Sequence, residues 1–187
     1  MAYKIIIFGP PGSGKGVQSQ LLSTQLQIPS ISSGDCIRDL LKSNNPKFSN
    51  WTKIINSGSL LPDLALFEII SNKFDTLNSN GNIIADGFPR TKSQAKLFHE
   101  SSLLPLEMTY VFILKINKDV LIERIIKRSN IENRSDDNVQ AFNNRYTIYL
   151  DHQANIQSFY KNVFQINADR PKEIINSEIL AICKNST

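Results

Sequence analysis

Five short stretches of the chain are apolar or β-branched at nearly every position: Tyr3 to Gly9, Ile28 to Ser32, Asn82 to Asp86, Thr109 to Ile116 and Val163 to Asn167. A strand with one wet face alternates apolar and polar residues, whereas one covered on both faces has no such need. The five stretches therefore predict buried strands. Between them the apolar residues recur at helical spacing, as in Leu21, Leu22 and Leu26, then Ile37, Leu40 and Leu41, then Leu121, Ile122, Ile125 and Ile126. This alternation predicts an α/β fold in which a five-stranded parallel sheet carries helices on both faces. A ligand crevice is expected beyond the C-terminal ends of the strands.

Two segments interrupt the alternation. Residues 32–61 carry Asn44-Asn45-Pro46 and Ser57-Gly58 as turn punctuation between small helices, and residues 127–137 are polar and charged, with Arg128, Arg134, Asp136 and Asp137. Both are too short to stand alone and are expected to be flaps on a single domain spanning 1–187.

Composition narrows the possibilities. A chain of 187 residues with 41% hydrophobic and 20% charged positions has the makings of one packed core, which excludes a fibre or a disordered tail. Lys and Arg total 21 against 17 Asp and Glu, for a net charge of +4. That excess suits an anionic ligand, and no basic stripe with interleaved aromatics points to nucleic acid. The longest apolar runs, Ile5–Phe8 and Tyr110–Leu114, fall far short of the roughly 20 residues that span a bilayer. Met1-Ala2-Tyr3-Lys4 enters the first strand with no signal-peptide pattern, so a cytoplasmic protein without membrane contact is expected. Cys36 and Cys183 are too few and too far apart for a disulfide framework or a zinc site.

The chemistry begins at Gly9-Pro10-Pro11-Gly12-Ser13-Gly14-Lys15-Gly16, directly after the first strand and before a helical pattern. This matches a phosphate-binding P-loop, and extends the expectation to a P-loop three-layer fold. Gly12, Gly14 and Gly16 let the backbone turn its N–H groups inward, the helix start adds positive potential, and Lys15 reaches the terminal phosphates of a nucleotide. The usual Ser or Thr after the lysine is missing: Gly16 and Val17 follow. Asp86, at the end of a strand, is the candidate to hold a magnesium ion through its waters.

Further motifs follow in order: Ser32-Ser33-Gly34-Asp35-Cys36-Ile37-Arg38, Asp86-Gly87-Phe88-Pro89-Arg90-Thr91, Arg124-Ile125-Ile126-Lys127-Arg128, and Arg134-Ser135-Asp136-Asp137 leading to Arg145. With Gly9–Gly16 these resemble the adenylate kinases, over essentially the whole chain. The resemblance implies a nucleoside monophosphate kinase that transfers a phosphoryl group from ATP to AMP to give two ADP. It also implies a core sheet, a flap at 32–61 over the monophosphate, and a short lid at 127–137 lacking the insertion that holds zinc in some members. Magnesium with ATP is the expected cofactor, no zinc is expected, and a monomer acting on free nucleotides is implied.

Carried onto this sequence, the resemblance assigns Gly12, Ser13, Gly14, Lys15, Gly16 and Val17 to the donor phosphates, with Arg124, Arg128 and Arg170 on the donor side. Lys15, Arg90, Arg124, Arg134 and Arg145 become the catalytic cations. The acceptor is met by Ser33, Arg38, Ser59, Leu60, Leu61, Gly87, Phe88, Pro89, Arg90 and Gln94, with Arg134 and Arg145 clamping the transferred group. Arginine suits such work because its planar, permanently charged fork meets phosphate oxygens in pairs. The acceptor phosphate oxygen is already anionic, so no general base is required.

Ser33, Thr91 and Gln94 look like the adenylate version of the acceptor site. A pyrimidine (UMP/CMP) kinase and a catalytically weak nucleotide-binding module are the alternatives. The donor base, expected against Asn167-Ala168-Asp169-Arg170-Pro171, is met largely by backbone, which leaves ATP as the default and GTP open. Two positions depart from the family: Val17, where threonine is usual, and Val139, where glutamate is usual.

Overall fold

A computed structural model describes residues 3–43, 48–77, 80–132 and 138–185. Its centre is a five-stranded sheet of β1 (Lys4–Phe8), β2 (Ser30–Ser32), β3 (Ile83–Asp86), β4 (Thr109–Lys115) and β5 (Asn162–Asn167), in the order β2-β3-β1-β4-β5. Every pairing is parallel: β1 lies against β3 on one side, with Ile5 opposite Ile84, and against β4 on the other, with Ile5 opposite Tyr110. All five predicted strands are present, with edges moved by at most two residues.

The absence of alternation in β1 has the expected cause. Ile6 and Phe8 face one core, with Ile83, Ala85, Val111 and Ile113 beside them, while Ile5 and Ile7 face the other, with Ile84, Phe112 and Leu114. The first core is covered by α4 (Asp63–Asp75), α5 (Lys92–Glu100) and α7 (Val139–Phe159), through Leu66, Ile70, Phe98 and Ile156. The second is covered by α1 (Lys15–Leu26) and α8 (Lys172–Asn185), through Leu22, Ile175 and Ile179. Removing a fully buried aromatic such as Phe98, wedged between Phe67 and Phe88, costs roughly 3–5 kcal/mol.

The remaining helices are α2 (Ser33–Lys42), α3 (Ser49–Asn56) and α6 (Lys118–Glu132). Ser32 caps α2 by accepting from Asp35 N–H, Thr91 caps α5 by accepting from Gln94 N–H, and Asn138 caps α7 by accepting from Ala141 N–H. Within the expected lid segment 127–137, residues 127–132 belong to α6, which continues through Glu132. Neither Gly nor Pro interrupts Lys127–Glu132, so nothing in its sequence stops the helix there. Arg134, Asp136, Asp137 and the turn Asn44-Asn45-Pro46 lie outside the described residues. No helix among the described residues is long and apolar enough to cross a membrane.

Candidate active site

The sheet order changes direction at β1, which sends its connections to opposite sides and opens a crevice beyond the C-terminal ends of β1 and β3. A cavity of about 360 Å³ occupies that crevice, floored by Phe8 and Asp86 at the strand ends and walled by the loop from Gly9 to Val17. The loop turns sharply into α1 at Gly14, the residue before the helix, whose φ of 90 lies in the left-handed region that glycine adopts without strain. Its first-turn N–H groups consequently face the cavity with the helix's positive end.

Lys15 donates from Nζ to the carbonyls of Gly9 at 2.9 Å and Pro10 at 2.8 Å, which draws the ammonium back across the loop's own mouth. Asp86 faces the same place: a Cβ added to Gly16 would stand 3.3 Å from Asp86 Oδ2. Burial pushes the Asp86 carboxyl above its ordinary value, while the charges of Lys15 and Arg90 pull against that shift. A side chain at position 16 would therefore stand in tight contact with this carboxylate.

Three arginines complete the cavity from different elements: Arg38 on α2, Arg90 after β3, and Arg145 on α7. Arg90 is aimed by its neighbour, donating from Nε to Gly87 O at 2.7 Å. The same carbonyl accepts from Ser33 Oγ at 2.8 Å, so Ser33 orients the Gly87 turn and its oxygen is left to a ligand only as an acceptor. Arg38 pairs with Asp35 one turn away. A second, smaller cavity of about 70 Å³ opens alongside, lined by Leu60, Leu61, Leu66, Ser59, Ser33 and Gln94. Arg38, Arg90 and Arg145 line both cavities.

A strand-loop-helix phosphate cradle, a second compartment with an apolar wall, and shared arginines between them describe a site for two phosphorylated ligands. The family model described as adenylate kinase matches residues 7–165. The chain belongs to the adenylate kinase family. It is 39% identical over 158 residues to an adenylate kinase of Azobacteroides pseudotrichonymphae genomovar. CFP2, covering 83% of this chain and 82% of that one. It is 33% identical over 189 residues to one of Rhodopirellula baltica, with 98% and 96% covered. With one of Leptospira biflexa it shares 34% over 181 residues, with 95% and 97% covered. As a member of the adenylate kinase family it is a nucleoside monophosphate kinase that transfers a phosphoryl group between ATP and AMP. Nothing in these relationships favours a pyrimidine acceptor.

Set against that family, the site residues expected from sequence fall into distinct groups. Gly12, Gly14, Lys15, Gly16 and Val17 line the larger cavity with Arg38, Gly87, Arg90 and Arg145. Ser33, Ser59, Leu60, Leu61 and Gln94 line the smaller one. Ser13 is buried within the loop itself, its N–H donating to Pro10 O at 3.2 Å. Phe88 and Pro89 are buried, and the Phe88 ring packs on Phe98 with centroids 5.0 Å apart, so it supports the site from the core side. Arg124 on α6 lines neither cavity. Arg170 likewise lines neither cavity: its guanidinium donates to Glu178 on α8, and its Nε to Asn167 O at 3.0 Å. Glu178 lies within reach about two helical turns into α8. The side chain of Arg128 and all of Arg134 lie outside the described residues.

Tyr149 lines the larger cavity without having been singled out from sequence, its ring 5.4 Å from that of Phe8. Burial pushes its hydroxyl up to about 12, so it serves as a neutral wall. Its position four residues after Arg145, on the same face of α7, was the available signal. Asp63, at the start of α4, was likewise missed and is bonded to Gln94.

The phosphate end of the larger cavity suits a hard cation. Asp86 brings a carboxylate to the cavity floor beside the charges of Lys15 and Arg90, and among the described residues no group of three or more metal-ligating side chains surrounds it. One carboxylate with water and phosphate oxygens is the donor set magnesium accepts.

Proposed function

We propose that the larger cavity holds the donor triphosphate and the smaller one the adenine of AMP, with phosphoryl transfer taking place where Arg38, Arg90 and Arg145 face both. That double lining is the observation that carries the assignment, since a group in transfer must be reached from both ligands. Residues 32–61 act as the acceptor flap, and 127–137, together with the end of α6, as a short lid.

In this mechanism an oxygen of the AMP α-phosphate forms the new bond to the γ-phosphorus, and the bond from that phosphorus to the β–γ bridging oxygen breaks, leaving ADP on either side. Arg38 and Arg90 hold the attacking phosphate, Arg145 spans the oxygens of the moving group, and Lys15 with the loop N–H groups takes up charge on the departing β-phosphate. Arg124, Arg128 and Arg134 add charge from the lid side once it closes. Asp86 would hold a magnesium ion at the phosphate end of the cavity, where it would supply charge neutralisation to the donor phosphates. Closure by the two flaps excludes water and prevents loss of the γ-phosphoryl group to hydrolysis. The active unit in this reading is a monomer acting on free nucleotides.

The test is ADP formation from ATP and AMP with magnesium, beside UMP and CMP, in the wild type and Arg145→Ala. AMP-dependent turnover that Arg145→Ala lowers in kcat far more than in either KM is expected. Turnover with UMP or CMP exceeding that with AMP, or an Arg145→Ala defect confined to one KM, would overturn the assignment.

A further inference from the structure

Gln94 meets the smaller cavity with both ends of its amide already committed. Its Oε1 accepts from Arg90 N–H at 2.7 Å, and its Nε2 donates to Asp63 Oδ1 at 2.9 Å. A backbone N–H only donates and a carboxylate only accepts, so a single orientation of the amide satisfies both. The flipped amide would set N–H against N–H at one end and oxygen against oxygen at the other. The side chain is 1% exposed, which leaves no water to compensate a flip.

Asp63 is itself well fixed. Its other oxygen accepts from Ser93 Oγ, and as the first residue of α4 it sits where a helix start favours negative charge. Ser93 and Gln94 both belong to the first turn of α5, held by the Thr91 cap. The contact thus joins the starts of two helices 31 positions apart in sequence.

With these bonds made, Gln94 retains one N–H on Nε2 and one lone pair on Oε1, in a fixed order. A 6-aminopurine offers a donor at N6 beside an acceptor at N1. A 6-oxopurine offers an acceptor at O6 beside a donor at N1, the same two groups reversed. The orientation of one amide therefore separates the two classes of base. We propose that Asp63 is a specificity-determining positioning residue, which holds Gln94 in the order that admits a 6-aminopurine mononucleotide as acceptor and turns away a 6-oxopurine one. This rests on the assignment of Gln94 to the acceptor base.

The experiment compares kcat/KM for AMP and for IMP, with ATP as donor, in the wild type, Asp63→Ala, Asp63→Asn and Gln94→Ala. In Asp63→Ala the AMP/IMP ratio is expected to fall about tenfold or more, mainly through KM, because an unheld amide meets either base. Asp63→Asn keeps the shape but offers either an oxygen or an NH2 to the amide, so an intermediate ratio is expected, and this variant serves if Asp63→Ala does not fold. In a Gln94→Ala background, where the ratio is already low, Asp63→Ala is expected to change it less than about twofold. A purely structural defect would depress both substrates together and leave the ratio intact. A ratio unchanged in both Asp63 variants but lowered in Gln94→Ala overturns the holding role and leaves the Gln94 assignment standing. A ratio unchanged in Gln94→Ala overturns that assignment and this inference with it.

Discussion

Gly58 joins the acceptor flap to the helix that carries Arg145, and replacing it by alanine isolates that joint. It follows α3 with a φ of 77; its N–H donates to Ile55 O at 2.9 Å and that of Ser59 to Ile54 O at 3.0 Å, the bonding pattern of a Schellman cap. A Cβ added there would lie 2.5 Å from Ala141 O and 3.0 Å from Ala141 Cα, both backbone atoms in the first turn of α7. Adding the methyl costs roughly 1–2 kcal/mol for the left-handed backbone alone. To bring the carbonyl back beyond 3.0 Å the loop must also withdraw from α7. That strains the bond from Asn144 Nδ2 to Ser57 O, 3.0 Å in length and worth roughly 1 kcal/mol. Together about 2–3 kcal/mol is set against the arrangement that presents Ser59, Leu60 and Leu61 to the smaller cavity, about 30- to 150-fold if all of it falls on AMP binding. Steady-state kinetics with each nucleotide varied in turn should show KM for AMP raised by about tenfold or more and KM for ATP moved by less than about threefold. Equal changes in the two KM values, or an unaltered KM for AMP in a folded variant, would refute the coupling of loop 57–59 to the acceptor site.

Three further outcomes are expected. Lys15→Ala should lower kcat by about a hundredfold or more through the lost charge-assisted bonds to phosphate, while thermal melting shifts little; near-normal turnover would remove Lys15 from the phosphate site. Because the Asp86 pKa is raised in the fold, its ionisation destabilises the native state as pH rises from the ordinary value of 3.8 through the raised one, and the cost is constant above it. Asp86→Asn should thus raise the melting temperature at pH 7, lose that advantage towards pH 3, and weaken magnesium dependence; a lower melting temperature at pH 7 would show the carboxylate to be structurally required. Val17, 46% exposed on the cavity wall, has little packing to lose. Val17→Thr should therefore raise turnover or magnesium affinity at unchanged stability, and no change in either, measured by magnesium titration, would show a hydroxyl there to be dispensable.

Local patterns proved the most legible. The run Lys4–Phe8, the glycines that follow and the helical spacing of α1 each depend on residues a few positions apart, so strand, loop and helix could be read directly. The same holds for the Ser57-Gly58 turn. Other features were less legible locally. Arg170 stands beside the donor-like loop 167–171, but its pairing with Glu178 on α8 carries no signal in that loop.

The sequence by itself determined the layered α/β architecture, the phosphate loop and the order of the charged motifs, because hydrophobic period and turn chemistry act over neighbouring residues. Only the tertiary structure decided that Arg38, Arg90 and Arg145, drawn from three separate elements, line two cavities together, and that Tyr149 walls one of them. It also decided that Gly87 O receives both Ser33 and Arg90, and that Asp63 holds Gln94. These contacts depend on which strands lie side by side and where the helices cross them, and a free energy shared among distant residues leaves no periodic trace along the chain.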